Sequence, residues 1–307
     1  MSDFQIQPEK KGLTEYLSAK SMLVLLLLFV FTGIILGTFA SWLVFYLGGI
    51  SLADLLALPP EQLTASHRNL IRLATLLNHP LTFLLPAWFF ARTLEKPHHV
   101  RWLQLQTPPA PRTLLLAALL ILGAFPLTQF IFWLNRQMPL PYLLEQWETT
   151  SETAIRGLIV MESVPEFLFS LFVMALLPAL GEELLFRGVL QKILTRVFAS
   201  HHLAIWGTAI AFSAFHFQFM GFLPRLFLGL ILGYLLWWTK NLWVPVFAHL
   251  IYNGVQVAAA WAFADKINEI GAPPDEPPAL GIIAFSLIFV AASARLIWAQ
   301  NRGQSAG

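Results

Sequence analysis

Long apolar runs, broken by short polar or proline-rich stretches, set the pattern of this chain. The runs lie near 21–49, 70–91, 113–134, 166–194, 203–220, 222–239, 242–263 and 279–299. A helix needs roughly 17–25 apolar residues to cross a hydrocarbon core ~30 Å thick. The pattern therefore predicts eight membrane helices. The second run is the most interrupted, by Asn78, His79 and Pro80, and the fifth and sixth meet at a short turn around Gly221. The first run, "SMLVLLLLFVFTGIILGTFASWLVFYLGG", exceeds the ~7–15 apolar residues of a signal peptide. It follows Lys10, Lys11 and Lys20 and reads as a retained anchor.

The connections carry turn residues and no domain of their own: "TPPAPR" at 107–112, "MPLP" at 138–141 and "APPDEPP" at 272–278. Three N-terminal helices and their loops fill 1–165. A central segment spans 166–263. A loop, a last helix and a tail make up 264–307. The loop carrying Glu145, Glu148, Glu152 and Glu162 reads as a solvated acidic face.

Composition turns this pattern into a class. Of 307 residues, 57% are hydrophobic and 12% charged, against about 25% charged in an average soluble domain. Mean hydropathy is +0.66. Too little charge is present to cover a water-soluble surface, so the chain reads as an all-α polytopic membrane protein. The net charge of +2 points to no nucleic acid. Its basic residues report orientation instead. With the N-terminus in the cytoplasm, thirteen Lys and Arg fall on the inner side and six on the outer: Arg68, Arg72, Arg136, Arg156, Arg225 and Lys266. Both termini are then cytoplasmic in a multi-pass protein of the cell membrane. Cysteine is absent, which excludes disulfides and thiol catalysis.

Ionisable groups inside a membrane helix cost roughly 2.5–3.5 kcal/mol each on insertion scales and mark function when they persist. Three places qualify. The fourth run contains "GEELLFRG", 181–188. Glu183 and Arg187 are four apart and share a helix face, where they can pair. Glu182 is five from Arg187, roughly 140° around the helix. It points elsewhere, without that partner, and Pro178 just before it can kink the helix. The fifth run holds "FSAFH", with Phe212 and His216 on one face. The seventh holds "HLIYN", with His249 and Asn253 likewise aligned. Taken singly, each has a structural reading: inner-edge charges, a core histidine over a packing Phe212, an interhelical hydrogen bond. Taken together they agree in depth. At 1.5 Å per residue, His216, Asn253 and Glu182 lie roughly 20, 16 and 18 Å from the inner ends of their runs.

The set "EELLFR", "FSAFH" and "HLIYN", in that order, resembles the type II CAAX prenyl endopeptidase and bacteriocin-processing family of membrane proteases (CPBP, formerly Abi), over roughly 166–256. The resemblance implies an intramembrane endopeptidase acting on a membrane-associated protein or peptide. No His-Glu-x-x-His, Walker or Gly-x-Ser-x-Gly motif offers a different chemistry. Glu182 is expected to act as general base on a water. His216 would hold that water, and His249 and Asn253 would stabilise the oxyanion. Glu183, Arg187 and Phe212 would support them. No cofactor is expected, although two histidines and a glutamate can also form a catalytic zinc set. The eight helices are expected to surround an intramembrane cavity that these groups face. His98, His99, His201 and His202 read as interfacial groups, and Asn78 and His79 as helix-breaking residues that can line the same cavity. Two alternatives stay open: a non-catalytic binding or immunity protein of the same family, and a proton-coupled transporter. The latter lacks the repeats such folds show.

Overall fold

The structure is a computed structural model that describes residues 12–58, 62–139, 155, 158–264 and 276–302. Among these there is no strand. Eight long helices follow one another: α1 (Ala19–Leu47), α2 (Ala65–Leu94), α3 (Pro111–Arg136), α4 (Val164–Phe198), α5 (His201–Ala214), α6 (Phe222–Thr239), α7 (Trp243–Ala262) and α8 (Leu280–Gln300). The chain is an all-α polytopic membrane protein.

Six of the eight are long and apolar enough to cross a membrane. The other two are α5 and α7. With 14 residues, α5 reaches only about 21 Å. It stops at Ala214, so His216 sits in the turn beyond it rather than on a run extending to 220. Helix α7 has the length, but His249, Asn253 and Gln256 lower its hydropathy. The 35 residues of α4 would span roughly 52 Å if straight, more than a hydrocarbon core. This helix therefore tilts or projects.

Hydroxyl side chains start the helices where the polar breaks predict. Ser18, Thr64, Ser163 and Ser200 each accept a backbone N–H of the first turn of α1, α2, α4 and α5. Prolines lie inside α2, α3 and α4, and two of them sit beside wide turns. Pro86 and Pro178 lack an N–H, and their rings crowd the carbonyl four residues back. Those carbonyls, of Thr82 and Met174, fall within wide π turns at Pro80–Leu84 and Phe172–Leu176. The helices widen there instead of breaking. The sequence led us to expect a kink at Pro178 and an interruption at Asn78–Pro80; both helices run through. A third π turn, Leu184–Leu190, follows Glu182 and Glu183 directly.

One core includes Met22 and Leu26 of α1, Phe90 of α2, Phe186 and Val189 of α4, Phe212 of α5, Leu236 of α6 and Val246 of α7. A second joins α3, α6, α7 and α8 around Leu120, Leu232 and Val244. The N-terminal helices thus pack directly onto the 166–263 segment. Glycines set the closest approaches. A Cβ on Gly33 would lie 2.3 Å from the Leu81 carbonyl, and one on Gly37 2.9 Å from Thr82 Oγ1. Helix α1 therefore lies directly against the π turn of α2.

The start of α2 is locked to the start of α4 by buried charge. Arg68 donates to both oxygens of Glu166 at 3.1 Å and to Glu162 at 2.7 Å. Arg72 donates to Glu166 at 2.9 Å, to Ser170 Oγ at 2.8 Å and to the Val160 carbonyl at 2.6 Å. The sequence placed both arginines among outer loop charges. They lie instead on α2, 2% and 0% exposed, and leave the orientation count. Glu162 is exposed, as expected of its loop, yet paired; Glu145, Glu148 and Glu152 lie outside the described residues. At the other end of α2, Thr14 donates to the buried Glu95, and Arg196 of α4 holds the carbonyls of Thr14 and Leu17.

Removing one partner of a fully buried ion pair costs about 3–5 kcal/mol. Arg72→Met is accordingly expected to lower the melting temperature in detergent well below that of the wild type. Coincident melting curves would show that the cluster is not a clamp.

Candidate active site

The two glutamates of α4 face different partners. Arg187 Nη1 donates to Glu183 Oε1 at 2.8 Å, and both side chains are fully buried. Arg187 Nη2 also donates to the Gly229 carbonyl of α6 at 3.0 Å. Its guanidinium lies 4.5 Å from the centroid of the Phe212 ring, an attractive cation–π geometry. One turn further along, Gln191 Nε2 repeats the pattern on the Gly233 carbonyl at 3.2 Å. Gly229 and Gly233 leave room for this: a Cβ on either would meet Ala209 or Ile205 of α5 at 3.0 Å or less.

His249 of α7 links the glutamates. Its Nδ1 lies 2.8 Å from Glu183 Oε1, and its Nε2 lies 4.0 Å from Glu182 Oε2. A carboxylate accepts, so Nδ1 carries the proton in the neutral ring and Nε2 presents a lone pair toward Glu182. In this tautomer Nε2 is an acceptor. Asn253, half-buried one turn on, has no hydrogen-bond partner among the described residues.

His216 is fixed in a similar way. Its Nδ1 lies 2.9 Å from the Phe212 carbonyl and donates to it, leaving Nε2 as the acceptor. The ring stands edge-on to Phe212, 5.1 Å between centroids, and His249 meets the same ring at 5.9 Å. Phe212 is therefore more than packing. Its ring is in contact with the Arg187 guanidinium and with both imidazoles. His216 lies within coulombic range of Glu182.

Glu182 itself is not without a partner, as its spacing from Arg187 suggested. His79 of α2 places Nε2 3.2 Å from Glu182 Oε1. Sequence spacing could not find this contact, because it joins residues 103 apart. The only signal was an imidazole inside a membrane run. Glu182, Glu183, Arg187, Phe212, His216 and His249 thus converge, with His79 added, while Asn253 stays on the margin. The interfacial histidines pack on aromatic rings: His99 on Trp88, His201 on Trp237, and His202 on Trp237 while bonded to Tyr234 Oη.

Glu182 is 6% exposed. Two cavities of about 600 Å³ are lined in part by α4, and neither lining includes Glu182. One lies between the starts of α2 and α4, beside Asn69 and Glu162; the other is apolar and lies between α4 and α7, beside Leu171 and Gly254. Among the described residues, no three His, Asp or Glu side chains are grouped to hold a metal ion. As arranged, the histidines engage the carboxylates and the Phe212 carbonyl.

Residues 164–255 match the family described as type II CAAX prenyl endopeptidase Rce1-like. The chain carries an Rce1-like segment. It runs from the start of α4 into α7 and contains all three motifs; His79 lies outside it. The uncharacterized protein YpbD of Bacillus subtilis (strain 168) is 35% identical over 97 residues, which are 30% of this chain and 44% of that protein. The chain therefore spans less than half the length of this curated relative. No solved structure matches.

Glu183 serves Arg187 and His249 together, so its loss strands a buried guanidinium. Glu183→Ala is expected to cost about 3–5 kcal/mol, the price of breaking a buried pair. Glu182→Gln keeps a hydrogen-bonding group opposite His79 and should melt close to the wild type. A thermal series in detergent checks the order; a stable Glu183→Ala protein would reverse the two assignments.

Proposed function

We propose that the protein is a membrane endopeptidase that hydrolyses a peptide bond of a membrane-associated protein or peptide, using a water activated by Glu182. One observation carries this reading. Glu183 is neutralised by Arg187, whereas Glu182, the preceding residue, meets only imidazoles among the charged groups of the described residues. The Rce1-like match across 164–255 supports the same class of reaction.

The chemistry follows from the open lone pairs. His79 occupies Oε1 of Glu182, which leaves Oε2 to accept a proton. The 4.0 Å gap between Oε2 and His249 Nε2 is too wide for a direct hydrogen bond and suits a bridging water. In the proposed step, water attacks the scissile carbonyl carbon as its proton passes to Glu182. The tetrahedral oxyanion takes hydrogen bonds from the Asn253 amide. His216 accepts from the water or the incoming amide through Nε2. Collapse breaks the C–N bond, and the proton on Glu182 passes to the leaving amine. Every group in this step is a side chain of the chain itself, and the proposal assigns no resident metal.

Comparison of protein termini in membrane fractions from wild-type and Glu182→Gln cells tests the reading. At least one new terminus should depend on Glu182 and disappear equally in a His249→Ala strain. Identical termini in all three strains would leave no role for hydrolysis. Metal dependence has its own readout. Elemental analysis of the purified protein is expected to show less than one equivalent of zinc, with cleavage retained after chelation and dialysis. One zinc per chain, lost and regained with activity, would replace the carboxylate–water step.

A further inference from the structure

Nothing in the matched segment accounts for His79, yet the structure converges on it. Its Nε2 is 3.2 Å from Glu182 Oε1, and both residues are nearly buried, 8% and 6% exposed. The carboxylate can only accept, so Nε2 carries the proton. Nδ1 is buried without a partner. A bare lone pair there is tolerable, whereas a second stranded N–H is costly. The ring thus donates through Nε2 to one oxygen of one carboxylate.

Three features hold that aim. First, the ring stacks on Phe83, 4.5 Å between centroids, and Phe83 is wedged in turn against Phe215 at 5.2 Å. Second, Gly181 supplies the notch. A Cβ there would lie 2.8 Å from His79 Cε1 and 3.2 Å from Phe83 Cβ, so any larger residue pushes the imidazole off Glu182. Third, α2 cannot slide. The Arg72–Glu166 contact at 2.9 Å pins it to α4, two turns before His79. Beyond His79, Gly33 and Gly37 seat its π turn against α1.

The geometry points to His79 as the positioning residue of Glu182, supplied by a helix outside the Rce1-like segment: its Nε2–H holds Oε1 so that Oε2 alone faces His249 and the attacking water. The catalytic meaning of this rests on the hydrolytic reading above; the hydrogen bond itself does not. It also gives the glycine of "GEE" a function, as the gap through which α2 reaches the carboxylate.

The test uses full-length protein in lipid nanodiscs together with membranes of the expressing cells. In ¹⁵N-histidine-labelled wild type, His79 should give the signals of a neutral ring protonated at Nε2, and these should shift in Glu182→Gln. In the membranes, His79→Ala should slow formation of the Glu182-dependent terminus about 100-fold, as expected for a misplaced catalytic group, at unchanged protein level. His79→Gln, whose amide nitrogen reaches the same oxygen, should recover most of the rate. Gly181→Ala should behave like His79→Ala. Full rate in His79→Ala, equal loss in His79→Ala and His79→Gln, or His79 signals indifferent to Glu182 would each overturn the assignment. If the wild type forms no such terminus, the hydrolytic reading fails, and the nitrogen signals alone decide whether His79 holds Glu182.

Discussion

The buried contact between Glu183 and Arg187 is the interaction on which the arrangement of the core depends. Two charges removed from water are tolerable only when their pairing geometry is good and further contacts share the charge; even so, Glu183 Oε2 and Arg187 Nε are buried without a partner among the described residues. Here Arg187 reaches Glu183, the Gly229 carbonyl and the Phe212 ring, while Glu183 also holds His249. One ion pair therefore fixes α4 against α5, α6 and α7 at a single height. Apolar packing between membrane helices is weakly directional, since lipid tails are as apolar as leucine. The polar contacts set the register, and the glycines of α6 let the helices come close enough to form them.

The same logic appears at a second level. Arg68, Arg72 and Glu166 form another buried ionic cluster, at the start of α2 and α4. The first cluster assembles the helices of the Rce1-like segment. The second attaches to them a helix from outside it. Between the two lies Glu182, near the middle of the longest helix. The π turns at Pro80–Leu84 and Phe172–Leu176 absorb the prolines without breaking α2 or α4, so the distance between the clusters is kept by unbroken helix.

What the sequence could tell follows from the range of each signal. Apolar run length is local, and all eight runs correspond to helices, although α5 is shorter than its run because polar His216 and Gln218 belong to the turn. The Glu183–Arg187 contact was readable because four residues apart on a helix is a neighbour relation. His216 and His249 were readable as candidates because imidazoles in apolar runs are few. The contact of His79 with Glu182 was not readable, since no local rule relates α2 to α4. Arg68 and Arg72 misled for a similar reason. At a run's edge, an arginine bound for loop solvent and one bound for a buried carboxylate look alike until the partner helix is in place.

The adjacency of the two glutamates has a physical reason in this arrangement. A helix turns by roughly 100° per residue, so neighbouring carboxylates usually serve different surfaces. Here a single imidazole lies between them, with Nδ1 on Glu183 and Nε2 facing Glu182. Arg187 fixes Glu183, Glu183 fixes the ring and tautomer of His249, and that tautomer turns a lone pair toward Glu182. His79 meets Glu182 from the opposite helix. The hydrogen bond that holds Glu182 is thus the one from His79, while His249, fixed by Glu183, only faces its other oxygen at 4.0 Å. A direct arginine partner would hold the carboxylate as firmly but would compete for the lone pair that takes a proton from water in the proposed step. Adjacent positions give one carboxylate paired with arginine and one that faces imidazoles, with the His249 ring bonded to the first and turned toward the second.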